Sequence, residues 1–466
     1  MGFSVPFEPT VYALEWNLVA RSCLRSSAFI FEWRVLKWFC SIQGCARHVT
    51  RSRRSREGEA FVWARTANGC LSGAGRGRLQ GYNGVVRFFL LTAELEMQPL
   101  TTHRGDFLSG SVSTAVAAGL AQGGFFSSVK ASDTKKLGVA LVGLGSLSAG
   151  QIAPALRKSK SCQLTAIVTG NQTKGQMWAE QYGIARRSIY DYEGFDKIVN
   201  DDSVDIAYIA LPNCMHREYA IRAARAGKHV LCETPMATTA RDCRDIIAEC
   251  KKADRVLAIG DREQFNSTHL KMMELARTQQ FGSIERIEAE FGYKIKNSTQ
   301  WRLRKSVSGG GALVELGVHA LQACRRLTGE EPVRIVAQET KTDANKFAEV
   351  DESVTWCMQF ASGTLAYCST SFNFEGLNRL TVYGKDGFMQ LDPAFSCSGT
   401  RIETSRGALE LPLLDPFAAQ LDSFAECIRE GKPPKVSGEQ GLRDALAIEA
   451  IYRSIETRAS VALERA

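Results

Sequence analysis

From about residue 135 onward the sequence predicts a doubly wound α/β domain followed by an α+β domain built on a large, mostly antiparallel open sheet. Three observations carry this expectation. Short β-branched or apolar runs alternate with segments of helical spacing between residues 136 and 259. The first run ends in a glycine-rich turn, Gly143-Leu144-Gly145. After Gly260 the rhythm breaks, and strand-like runs succeed one another with little helix between them.

Residues 136–142 form the first strand, and 149–158 the helix behind the glycines. Strands follow at 163–168, 205–210, 229–233 and 256–259, with helices at 174–182, 218–226 and 241–252 between them. This alternation predicts a parallel sheet covered on both faces. Beyond a boundary near residue 258, helices are expected at 269–277 and 312–327. Strands are expected at 333–338, 353–360, 364–371, 380–383 and 388–391, turned at Ala361-Ser362-Gly363 and Lys385-Asp386-Gly387. Helices at 415–430 and 441–457 close the chain.

Residues 1–96 differ in composition. They carry thirteen Lys and Arg, seven Glu and no Asp, so six of the chain's eight net positive charges lie there. The remainder is near neutral, which removes most of the support for a nucleic-acid partner. Lacking any sustained period, this leader reads as disordered or as upstream sequence translated ahead of Met97. Residues 97–134 have the order of an export signal or a disordered linker: Arg104-Gly105-Asp106-Phe107-Leu108, an apolar stretch at 109–126, and small residues at Val129-Lys130-Ala131. Gly105 stands where a twin-arginine signal has its second Arg. A working leader implies a periplasmic or exported protein with a mature start near Ser132, a dead one a cytoplasmic protein. No stretch reaches the ~18 consecutive apolar residues of a membrane span, so no membrane partner is expected. Of fourteen Cys, ten follow the leader; they are widely spaced, without a C-x-x-C, and are expected as buried thiols with no metal site.

The chemistry begins at Gly143-Leu144-Gly145-Ser146-Leu147-Ser148, placed after a strand and before a helix. The first glycine permits the tight turn, the second lets backbone approach a pyrophosphate, and the helix start offers free N–H groups to the anion. Ser148 occupies the third glycine position. This is a Rossmann signature in its proper context, and it assigns residues 135–258 to NAD(P) binding. After the second strand an NAD enzyme places an acidic residue for the ribose 2′-hydroxyl. Here the chain has Thr169-Gly170-Asn171 and then Lys174, which favours NADP over NAD.

The chain resembles the Gfo/Idh/MocA family, in particular its glucose–fructose oxidoreductase branch, over residue 136 to the C-terminus. The matching stretches are Gly143-Leu144-Gly145, Ile189-Tyr190-Asp191-Tyr192, Leu211-Pro212-Asn213, Ala226-Gly227-Lys228-His229-Val230, Gln300-Trp301-Arg302-Leu303-Arg304 and Gly309-Gly310-Gly311. The resemblance implies a tightly held NADP, a sugar or polyol substrate, hydride transfer at a hydroxyl-bearing carbon, and a homo-oligomer (dimer or tetramer) joined through the open sheet. It assigns 259–466 to substrate binding and oligomerisation, and adds Asn213, His216, Glu233, Trp301 and Arg302 to the cofactor set. The family's Glu-Lys-Pro reads Glu233-Thr234-Pro235, so Thr234 offers a hydrogen bond without the lysine's charge. The family's Gly-Tyr-Arg reads Gly260-Asp261-Arg262, and Arg262 with Arg304 is assigned to substrate.

Glu315 and His319 lie four apart on the helix after the triple glycine, and are expected to share one face. Glu315 would orient His319, and His319 would take the hydroxyl proton. The expectation is an NADP-dependent sugar or polyol oxidoreductase with His319, Glu315 and Thr234 at its centre. The alternative, raised by Thr234, is a protein that holds NADP in a regulatory role without turnover.

Overall fold

The computed structural model describes residues 135–463. Expectations for the leader and the export signal lie outside the described residues.

Among the described residues the first six strands are β1 (Leu137–Val142), β2 (Cys162–Val168), β3 (Ile189–Tyr190), β4 (Ile206–Ile209), β5 (His229–Glu233) and β6 (Leu257–Gly260). They form one sheet in the order β3-β2-β1-β4-β5-β6, every pair parallel. The order reverses between β1 and β4, which places a ligand crevice at their carboxyl ends. Val139 to Val142 and Ile206 to Ile209 are wholly buried, as strands covered on both faces must be. On one face lie α3 (Asn213–Arg225) and α4 (Ala240–Lys252). On the other lie α1 (Ala153–Lys158), preceded by a π turn at Ser148–Ile152, and α2 (Gln172–Tyr182), whose Trp178 and Ala179 enter the core. The sequence does not reveal that a late helix, Pro416–Glu430, also packs here. Phe417, Leu421 and Phe424 join the core beneath β1, and Asp422 accepts from Ser159 Oγ at 2.5 Å.

The remaining strands are β7 (Ile284–Gly292), β8 (Pro332–Thr340), β9 (Ser353–Phe360), β10 (Leu365–Ser371), β11 (Asn378–Gly384), β12 (Gly387–Leu391), β13 (Ile402–Thr404), β14 (Gly407–Leu409) and β15 (Val461–Ala462). They form a nine-stranded sheet, β14-β13-β12-β11-β7-β10-β9-β8-β15, antiparallel except for β7 with β10. One face is covered by α5 (Ser267–Arg277), α6 (Val318–Thr328) and the helix Gly438–Thr457. The other exposes Val336, Tyr367 and Tyr383, with Arg286 paired to Glu288 and stacked on Tyr367.

The predicted strands of this half are present, yet β7, which binds the sheet's two halves together, was not among them. Four of its nine residues are charged (Glu285, Arg286, Glu288 and Glu290), a composition of low strand propensity that an open face accommodates.

Candidate active site

The tight turn after β1 exists because position 143 admits only glycine. Gly143 has φ +96°, and a Cβ there would meet the Ala210 carbonyl at 2.4 Å. A Cβ on Gly145 would meet nothing within 4 Å, so the second glycine faces open space, as an approaching ligand requires. Ser148, at the third position, is buried and donates its hydroxyl to the Gly143 carbonyl at 2.6 Å, locking the turn that a third glycine would merely pack.

This turn forms one wall of a cleft of about 520 Å³. Gly143, Leu144, Gly145, Ser146, Leu147, Thr169, Lys174, Asn213, His216, Glu233, Trp301 and Arg302 all line it, together with Thr234 and Glu315. The whole predicted cofactor set thus converges on one place. Asn171 caps α2 by accepting from the Lys174 backbone N–H, and the Lys174 ammonium reaches across to the Leu144 carbonyl. Asn213 is held by the Ser308 carbonyl at 2.9 Å. His216 is buried between the Leu211 and Pro235 carbonyls, 2.8 and 2.9 Å from its ring nitrogens, and burial pushes its pKa down. It braces the cleft wall. The helix leading to α6 starts where Gly311 lies so close to Asp351 that a Cβ would sit 2.0 Å from its carbonyl oxygen. The Asp351 carboxylate in turn accepts from Gly311 N and Leu313 N, both at 2.7 Å.

Along the inner wall of the cleft and beneath it lies a largely buried polar cluster. Glu233 accepts from Tyr208 Oη at 2.7 Å; burial raises its carboxyl to about 7, against the pull of that hydrogen bond and of Arg262. Thr234 Oγ1 accepts from Gln322 Nε2 at 3.3 Å, and the same amide donates to Asp444 at 2.7 Å. Asp261 pairs with Arg326. Burial pushes Asp261 up to about 6 despite that partner. Burial acts on Glu263 too, but Arg262 and His319 hold it well below the usual carboxylate range.

Three expectations are corrected. Glu315 does not orient His319. A π turn at Leu313–Gly317 widens the helix between them, so the four-residue spacing no longer gives one stripe. Glu315 instead turns to the cleft and accepts from Arg302 Nε at 2.5 Å, with the guanidinium stacked 4.4 Å from Trp301. His319 is buried and is not among the residues lining this cleft, its Nδ1 3.2 Å from Glu263 Oε1. Arg262 does not line the cleft either; it is half-buried, donates to the Phe395 carbonyl at 2.8 Å and pairs with Glu263 at 3.1 Å. Arg304 is exposed on a loop outside the cleft. Sequence reasoning missed Glu263, Gln322, Tyr208 and Arg326. Three successive charges, Asp261-Arg262-Glu263, directly after an apolar strand were the available signal.

Comparison with known proteins agrees with this geometry. A family model described as "Oxidoreductase family, NAD-binding Rossmann fold" matches residues 137–261, and one described as "GFO/IDH/MocA C-terminal domain" matches residues 269–390. A solved aldose-aldose oxidoreductase from Caulobacter crescentus, complexed with glycerol, is 38% identical with a TM-score of 0.69, covering 71% of this chain and 100% of that one. D-xylose 1-dehydrogenase [NADP(+)] of Haloarcula marismortui is 26% identical over 340 residues, 70% of this chain and 92% of the relative. Myo-inositol 2-dehydrogenase of Thermotoga maritima is 26% identical over 343 residues, 70% and 98% respectively.

Proposed function

The chain belongs to the Gfo/Idh/MocA oxidoreductase family, and from that premise we propose that it moves a hydride between NADP and a hydroxyl-bearing carbon of a sugar or polyol. The observation that carries this reading is the convergence of the glycine turn, Thr169 with Lys174, and Thr234 on one cleft backed by His319. When bound, the nicotinamide accepts or returns the hydride. The chain's own residues do the rest. Thr169 and Lys174 favour a 2′-phosphate, since a hydroxyl and an ammonium replace the carboxylate that would repel it. Thr234, held by Gln322, orients the reacting hydroxyl. His319 takes the hydroxyl proton as the carbon is oxidised, and returns it in reduction. The exposed Val336, Tyr367 and Tyr383 on the open sheet supply a face for self-association.

The experiment is to add aldoses and polyols to the NADP-loaded protein and follow the absorbance of reduced nicotinamide. Reduction by at least one of them supports the reading; no change with any, in either direction, removes it. Thr234 favours a second reading, nucleotide binding without turnover, because no ammonium stands beside the reacting hydroxyl. Thr234→Lys separates the two. Asp261 meets Arg326 through Oδ2 and keeps Oδ1 unpartnered, so Asp261→Asn is made alongside Thr234→Lys to remove a competing carboxylate. Turnover of an active protein should therefore rise ~10-fold or more, whereas a protein built only to bind shows no reduction in either form.

A further inference from the structure

His319 stands on α6 with its ring edge-on to Phe291 and tilted against Phe395. Ionisable groups reach it from one quarter. The turn Arg262–Phe265 after β6 brings Glu263 to 3.2 Å from Nδ1, with Arg262 3.1 Å behind that carboxylate. Beyond these lie Glu233 on β5, Asp261 with its Arg326 partner from α6, and His269 from α5.

We propose that Glu263 is the positioning residue of this site. Its carboxylate, held by Arg262, accepts the Nδ1 proton of His319 and leaves Nε2 as the nitrogen that meets the substrate hydroxyl. The inference rests on the oxidoreductase reading above.

Both Glu263 oxygens and His319 Nδ1 are buried without a hydrogen bond, while facing each other at contact distance. Unpaired buried polar atoms are costly, and a small rotation of the ring satisfies Nδ1 and one oxygen together. Among the described residues Nε2 makes no hydrogen bond, so it is the nitrogen left for substrate. Arg262 keeps Glu263 ionised, which the role requires, since a protonated carboxyl would compete for the Nδ1 lone pair. The loss of the lysine at Thr234 makes the charge matter more. When the hydroxyl proton moves to Nε2, the imidazolium that forms needs a buried anion beside it, and Glu263 is that anion. Atoms and electrons balance. The O–H proton goes to Nε2, the hydride leaves the same carbon for the nicotinamide, the alcohol becomes a carbonyl and NADP⁺ becomes NADPH. Reduction of a carbonyl runs the same transfers backwards.

Nitrogen NMR of the histidine-labelled protein, at a pH where the rings are neutral and with His319→Gln to identify the signal, reads the tautomer without reference to activity. The expected state is Nδ1–H; a dominant Nε2–H tautomer overturns the proposal. In Glu263→Met the preference for Nδ1–H should be lost. Single-turnover hydride transfer should fall ~10–100-fold while the sugar KM stays within about twofold. Glu263→Gln, which keeps an acceptor without the charge, should recover part of that rate. A rate unchanged in Glu263→Met, or a loss confined to KM, overturns the proposal. Should that variant fail to fold, Glu263→Gln decides: a fall of at least about threefold at constant KM supports it, and an unchanged rate overturns it. A wild-type Nδ1–H tautomer in a protein that no sugar reduces leaves the contact standing and removes the oxidoreductase reading.

Discussion

The rim and the floor of the cleft are built on opposite principles. At the rim, the glycine turn, Ser148, Asn171 and Lys174 act through backbone geometry and partners a few residues away or one strand over. The floor consists of largely buried polar and charged groups, most of whose partners, Arg262–Glu263 excepted, are far apart in the chain. Asp261 meets Arg326 across 65 residues, and Thr234 meets Gln322 across 88. The rim's Arg302–Glu315 pair keeps 28% and 19% of its side-chain surface in solvent, against 10% and 2% for Arg326–Asp261. The same residue types therefore stay in contact with solvent at the rim, while at the floor they fix one another in place.

The sharpest test of that division is His319→Ala. If the floor carries the chemistry, turnover should fall ~10²–10⁴-fold, the usual worth of a positioned acid/base, while NADP affinity changes by less than about twofold, since His319 does not line the cleft. Steady-state kinetics beside fluorescence titration measure both. A comparable loss of NADP affinity would mean that the two regions are one.

The division also explains what was legible in the sequence. The parallel sheet was readable because its strands are buried on both faces and appear as unbroken apolar runs, Val139 to Val142 for instance. The glycine turn was readable because a turn's chemistry is local, whereas Asn213, His216, Glu233, Trp301 and Arg302, which line the same cleft, came from the resemblance and not from spacing. β7 was not, because one of its faces meets solvent and its four charged residues hide the alternation of buried Ile287 and Ala289. Nor was the true partner of His319. Helical spacing predicted Glu315, but a π turn has no composition that announces it, and Glu263 arrives from another strand end.

Stability should separate the regions next. Arg326→Leu strands the Asp261 carboxylate in the interior, and removing one partner of a buried pair costs about 3–5 kcal/mol. Arg302→Leu breaks a pair still in contact with water and should cost less than about 1 kcal/mol. Urea unfolding of the two variants makes the comparison directly, and equal losses would contradict it.

A smaller effect is expected at the rim for cofactor choice. Lys174→Ala should weaken NADP by about 1–3 kcal/mol, the range for a charge-assisted hydrogen bond, and leave NAD nearly unaffected. The ratio of the two dissociation constants should narrow accordingly. If both nucleotides weaken equally, Lys174 serves the turn through its contact with the Leu144 carbonyl and not the 2′-phosphate.

The smallest effect concerns the pH dependence of the floor itself. Burial raises the Glu233 carboxyl from its ordinary value near 4.5 to about 7 in the folded protein. Between these values the folded state binds a proton that the unfolded state has released, so stability falls as pH rises through that window. Asp261, pushed up to about 6, acts in the same direction, while Glu263, held low, makes its contribution below the window and leaves the slope there to the other two. Glu233→Gln keeps the acceptor for Tyr208 Oη and removes the titration. Allowing for the cleft's access to water, the variant should lose about 1–2 kcal/mol less stability than the natural protein between pH 5 and 8. Thermal unfolding at several pH values reads the slope. Parallel slopes would place Glu233 among the solvated groups of the rim, and a steeper slope in the variant would mean that the floor's burial stabilises the charged form.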